Sequence, residues 1–140
     1  MGDIENSQIS LKGGCHCKAV RFSVRAPKIL ICWKCNCSIC IIKQKLHFIV
    51  PSYRFILEEG AGSLSLYTFN THRAKHYFCK TCGICSFYIP RSNPDGVAVT
   101  VNCLDKTASL TGIEITVKEF DGLNWENSIA DSNIWKQSKL

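Results

Sequence analysis

The sequence predicts a single, mainly β domain, and three observations carry that expectation. Apolar and polar residues alternate over short runs, glycine and proline turn signals recur between the runs, and only the last stretch has helical spacing. At 140 residues with 46% hydrophobic content, the chain can bury one real core and is short for two.

Taken in order, residues 1–11 are expected as a flexible N-terminus, 12–128 as the domain and 129–140 as a tail. Met1 to Lys12 carries Asp3 and Glu5 and has no apolar run, so it reads as neither secretory signal nor membrane span. Lys18 to Val24 alternates, with Val20, Phe22 and Val24 on one face and Arg21, Ser23 and Arg25 on the other, until Pro27 ends the strand. Further strands are expected at Ile29 to Trp33, Leu46 to Val50, Ser63 to Phe69, Ser86 to Ile89, Val97 to Val101 and Ile113 to Val117. They are separated by Pro51, Gly60 to Gly62, Asn93-Pro94-Asp95-Gly96 and Gly112. From Leu123 onward a short helix is expected, with Asn124 as its cap and Trp125 and Ile129 four residues apart.

Cysteine spacing carries the chemistry. Seven of the ten cysteines fall in three clusters: Cys15-His16-Cys17, Cys35-Asn36-Cys37-Ser38-Ile39-Cys40 and Cys79-Lys80-Thr81-Cys82-Gly83. A disulfide framework would suit an oxidising compartment. Without a signal for one, the clusters read as thiolate ligands of zinc in an intracellular protein of the cytoplasm or nucleus. Residues two apart on an extended strand share a face, so Cys15 and Cys17 can grip one ion. The Cys79/Cys82 pair, with Gly83 behind it, has the form of a zinc knuckle and completes a four-sulfur structural site. Cys35, Cys37 and Cys40 make a second site with an open fourth position, as a Lewis-acid zinc requires. Cys32 or Cys85 would close that site into an inert cap, although Cys32 has the wrong strand parity to face it.

Lys and Arg outnumber Asp and Glu by 17 to 11, giving +6. Seven thiolates around two divalent cations would lower this by three, and no run is rich in Lys and Arg, so charge is a weak argument for nucleic-acid binding. Lys34, Lys43, Lys45, Arg73 and Arg91 are candidates for binding an anionic substrate. His47, His72 and His76 are candidates for ligands or proton carriers, with His72 and His76 also reading as exposed. His16 is expected to point away from the metal. Trp33, Tyr67, Phe69, Phe87 and Tyr88 read as core or pocket wall, and Cys103 as a buried small hydrophobe.

The ordered motifs from Gly13 to Phe22, Cys35 to Cys40 and Phe78 to Gly83 resemble the glutathione-dependent formaldehyde-activating enzyme family. His47 to Pro51, Tyr67 to His72 and Ser86 to Pro94 resemble its centromere protein V branch. Lys18 departs from the glycine common after the first cysteine pair. The resemblance implies a β-tent of packed antiparallel sheets, a structural zinc on Cys15, Cys17, Cys79 and Cys82, and a second zinc on Cys35, Cys37 and Cys40. The implied activity is that of a carbon-sulfur lyase joining glutathione, or another small thiol, to formaldehyde. A non-enzymatic, zinc-stapled interaction domain for chromatin or cytoskeleton is the alternative, and the open position at the triplet separates the two.

Overall fold

The computed structural model describes residues 8–139. The expected flexible N-terminus lies, for residues 1–7, outside the described residues. Ten strands form: β1 (Gln8–Gly14), β2 (Arg21–Pro27), β3 (Ile29–Cys35), β4 (His47–Pro51), β5 (Phe55–Glu59), β6 (Leu64–Tyr67), β7 (Lys75–Cys79), β8 (Phe87–Ile89), β9 (Gly96–Thr100) and β10 (Glu114–Phe120). Three short helices accompany them: α1 (Ser38–Lys43), α2 (Ala108–Thr111) and α3 (Trp125–Ser132). None is long and apolar enough to cross a membrane.

The strands make two sheets, β1-β2-β5 and β10-β3-β4-β9-β8-β7-β6. Every pairing is antiparallel except β10 with β3, which runs parallel from Glu114 opposite Ile29 to Phe120 opposite Cys35. β1 is an addition to the expected strands and takes residues 8–11 into the small sheet. The run expected as a strand from Lys18 is extended only from Arg21. Before it, Cys15 to Val20 forms a turn, closed by the Cys15 amide on the Val20 carbonyl at 3.1 Å. That turn overrides the strand expected for Cys15 and Cys17.

Strand alternation divides the large sheet by chemistry. Its inner face sends Leu30, Cys32, Phe48, Val50, Phe87, Val97 and Val99 against Leu11, Phe22 and Val24 of the small sheet, and this is the main core. Its outer face carries Trp33, Ile49, Tyr88 and Ala98, joined by Phe120 and Ile134 in a second cluster that Trp125 and Ile129 of α3 flank. Residues 129–139, expected as a tail, are therefore packed in. The buried side-chain amide of Asn93 fastens them, donating to the carbonyls of Ile134 and Trp135 at 3.0 and 3.2 Å and to Ser138 Oγ at 2.9 Å.

Candidate metal centres

All ten cysteines are free thiols. The Sγ atoms of Cys15, Cys17, Cys79 and Cys82 lie within 4.8 Å of one another. Cys15 to Cys17 and Cys17 to Cys79 are each 3.6 Å apart. Four sulfurs bound at 2.3 Å around a tetrahedral zinc would stand about 3.8 Å apart, so the donor set and its spacing fit such an ion. Backbone amides already face the sulfurs: Val20 N donates to Cys15 Sγ at 3.3 Å and Thr81 N to Cys79 Sγ at 3.4 Å. The amides of Cys82 and Thr81 hold the Cys79 thiol below its usual range, and those of Cys17 and Ile84 bring Cys82 down to about 6. Gly83 sits at φ +76°, the left-handed conformation its knuckle position needs. Because the first pair follows β1 and the second begins at Cys79, the last residue of β7, the cluster ties the small sheet to the large one.

The second cluster is built where β3 ends. Cys35 is its last residue, Cys37 is the N-cap of α1 and Cys40 is buried within that helix; their sulfurs also lie within 4.8 Å of one another. Three thiols this close cannot all ionise unaided. Hydrogen bonds from Cys35 and Cys40 pull Cys37 down to about 2, while its bond to Cys37 holds Cys35 up at about 11, and both neighbours push Cys40 further up. A divalent cation is what lets all three ionise together.

Neither proposed fourth thiol joins the triplet. Cys32 faces the opposite side of β3 and is fully buried in the inner core. Cys85 accepts a hydrogen bond from Lys45 Nζ at 3.5 Å and donates to the Phe87 carbonyl at 3.3 Å. Cys103, expected to be buried, is partly exposed beside Cys85 and Lys45 in a different cavity.

A cavity of about 300 Å³ opens on the triplet, at the small end of the range for ligand pockets. Its aromatic floor comes from the outer face of the large sheet. His76 stacks on Tyr88 at 4.6 Å between ring centroids and on Phe69 at 5.8 Å, and the Tyr88 hydroxyl lies 3.2 Å from His47 Nε2. Burial drives His47 down to about 3 and His76 down to about 4, with nearby lysines adding to both, and burial pushes the Tyr88 phenol well up. At neutral pH the imidazoles are therefore uncharged and the phenol keeps its proton. His76, which also read as exposed, is 2% exposed. His72 is exposed and bonds Thr68 at 2.9 Å, and His16 is exposed beside the four-sulfur cluster.

Of the basic candidates, Arg91 alone lines this cavity. Lys34 and Arg73 are exposed, and Lys45 is buried with its ammonium 4.5 Å from the Tyr88 ring, facing the other cavity. Among the described residues, five buried side-chain polar atoms have no partner. Four of them, on Trp33, His47, His76 and Arg91, belong to residues lining the cavity. These four atoms give the cavity polar groups free to bond ordered water or a polar ligand.

Sequence reasoning missed the segment that locks the triplet from the far end of the chain. Asn36 donates to Asp121 Oδ1 at 2.9 Å and accepts from the Leu123 amide at 3.2 Å. Between those partners, Gly122 leaves no room for a side chain: a Cβ there would lie 2.6 Å from Cys37 Cβ and 2.9 Å from Cys35 Sγ. The one legible signal was glycine after Asp121, which reads as an ordinary turn.

Residues 10–118 match the model of a family described as glutathione-dependent formaldehyde-activating enzyme. Among solved structures, the chain is similar to a crystal structure of a Rhodobacter sphaeroides protein, at 34% identity and a TM-score of 0.63. The match covers 75% of this chain and 99% of that one.

Proposed function

The chain belongs to the glutathione-dependent formaldehyde-activating enzyme family, and on that premise we propose that its triplet cavity adds the thiol of glutathione, or of another small thiol, to formaldehyde. The observation that carries the reading is that Cys35, Cys37 and Cys40 form a three-sulfur group lining a cavity, with no fourth described cysteine among them. A fourth thiol closing the site would favour the interaction-domain alternative, and Cys32 and Cys85 are engaged elsewhere.

We infer that Cys35, Cys37 and Cys40 hold a zinc ion, and Cys15, Cys17, Cys79 and Cys82 a structural one. When bound at the triplet, zinc supplies Lewis acidity that favours a thiolate at neutral pH. In the addition a sulfur-carbon bond forms, the carbonyl π pair moves to oxygen, and the proton lost by the thiol ends on that oxygen to give the S-hydroxymethyl product. The net proton change is zero, so a single relay suffices. Tyr88 and His47 fit that role: a protonated phenol beside a neutral imidazole can hand a proton on and recover it. Holding both reactants in one small cavity supplies the effective concentration.

Cobalt substitution at both sites tests the reading. Reduced glutathione should change the thiolate-to-cobalt absorption, Cys40→Ser should abolish the change, and S-methylglutathione should bind far more weakly. NMR exchange between formaldehyde and the S-hydroxymethyl adduct should be faster with the wild-type protein than with Cys40→Ser. Equal responses to both peptides, or no acceleration, would overturn it.

A further inference from the structure

We infer that Arg91 is the specificity-determining residue of the cavity and selects thiols that carry a carboxylate; this rests on the reading of the triplet as a thiol site. Among the described residues, and apart from the three cysteines, Arg91 is the only one lining the cavity with a fixed charge, since no described Asp, Glu or Lys lines it and burial keeps His47 and His76 neutral. With two positive charges among three thiolates, the metal centre would carry about one net negative charge. A ligand bringing its own carboxylate would therefore be repelled by the metal centre and attracted at Arg91.

The side chain is held as a receptor is held. Its guanidinium carbon sits 3.8 Å from the centre of the Trp125 ring, which fixes the plane and leaves the edge to bind. Along that edge Nε is buried without a partner, and Nη2 makes only a 3.4 Å contact to Glu126, a residue 80% exposed. The Nε–Nη2 edge is the one that takes a carboxylate through two parallel hydrogen bonds. Glu126 occupies half of it weakly and from the solvent side, so an incoming carboxylate gains one free donor and displaces one poor contact. Pro90 and Ser92 line the cavity on either side of Arg91, so Arg91 and the triplet share one cavity of about 300 Å³.

The test uses the full-length, cobalt-substituted protein and two small thiols, 3-mercaptopropionate and the neutral 2-mercaptoethanol, titrated against the triplet's charge-transfer absorption. Wild type should bind the carboxylate thiol more tightly. Arg91→Gln should weaken 3-mercaptopropionate roughly 10- to 100-fold, the value of a charge-assisted pair, and leave 2-mercaptoethanol unchanged. Arg91→Lys should keep only part of the preference, because an ammonium lacks the fork. Glu126→Gln, an exposed change that leaves the fold alone, should tighten 3-mercaptopropionate by a few-fold. The inference is overturned if both thiols respond equally to Arg91→Gln, or if Glu126→Gln has no effect on the carboxylate thiol. If neither thiol perturbs the cobalt spectrum even in wild type, the thiol reading of the triplet fails and takes this inference with it.

Discussion

Gly122 is packed so closely on Cys35 that any β-carbon at 122 would stand 2.9 Å from the Cys35 sulfur. Gly122→Ala must therefore displace Cys35, Cys37 or the backbone between β10 and α3. The expected result is loss of metal from the triplet with the four-sulfur metal retained: bound metal should fall from about two per chain to about one, as read by elemental analysis. A fully loaded Gly122→Ala protein would mean that the segment gives way without disturbing the ligands.

The two cysteine clusters should differ in what they contribute to folding. The four-sulfur group joins two sheets, and metal binding energy at such a site is folding energy. Cys82→Ser should lower the Tm by roughly 10 °C or more, the effect of several kcal/mol on a domain of this size. Cys37→Ser removes a ligand from a segment that β3 and β10 already hold in place. Its Tm should stay within about 5 °C of wild type while one metal is lost. Thermal melts with metal analysis check both, and global unfolding of Cys37→Ser would contradict the division of roles.

Stability should fall with acid through the buried histidines. Their folded-state values, about 3 for His47 and about 4 for His76, lie below the ordinary 6.5, so the unfolded chain binds more protons than the native one across that interval. The contribution is complete above about pH 6.5. It is lost as pH drops toward 4, at up to about 1.4 kcal/mol per pH unit for each histidine. His76→Phe keeps a ring between Phe69 and Tyr88 and removes one titrating group. Its stability should therefore depend less steeply on pH between 6.5 and 4.5 than that of wild type, as measured by denaturant unfolding at each pH. Parallel curves would show that His76 is not held neutral.

Lys18 sits at φ 69° in the turn that carries Cys15 and Cys17. A left-handed non-glycine residue costs roughly 1–2 kcal/mol, partly offset by the freedom glycine brings to the unfolded chain. Lys18→Gly should raise stability by about 0.5–1 kcal/mol in urea titration with unchanged metal content. A loss of stability would mean that the lysine side chain supports the turn.

What could be read in advance was what is local in sequence. Soft ligands two and three residues apart, and alternation such as Val20, Phe22, Val24, are patterns a short window contains. The parity of β3 likewise separates Cys32 from Cys35. Strand β1 was hidden because its alternating Ile9 and Leu11 run into Gly13-Gly14 and lack a longer apolar run. Helix α1 was hidden because Ile41 and Ile42 are exposed, contrary to what apolar residues suggest. His76 in the cavity and Arg91 on Trp125 depend on strand pairing and on residues 34 apart, which no local pattern encodes. The parallel pairing of β10 with β3, bridging some 85 residues of chain, belongs to the same class.

That parallel pairing fixes an order of assembly during synthesis. The ligands of the four-sulfur site are all present once residue 82 has emerged, so a first ion can be captured while residues 83–140 are still being made. The triplet is translated earlier, yet its wall waits for β10, Gly122 and Trp125 to arrive and close over it. A nascent chain would thus complete its four-cysteine group well before the wall of the triplet cavity forms.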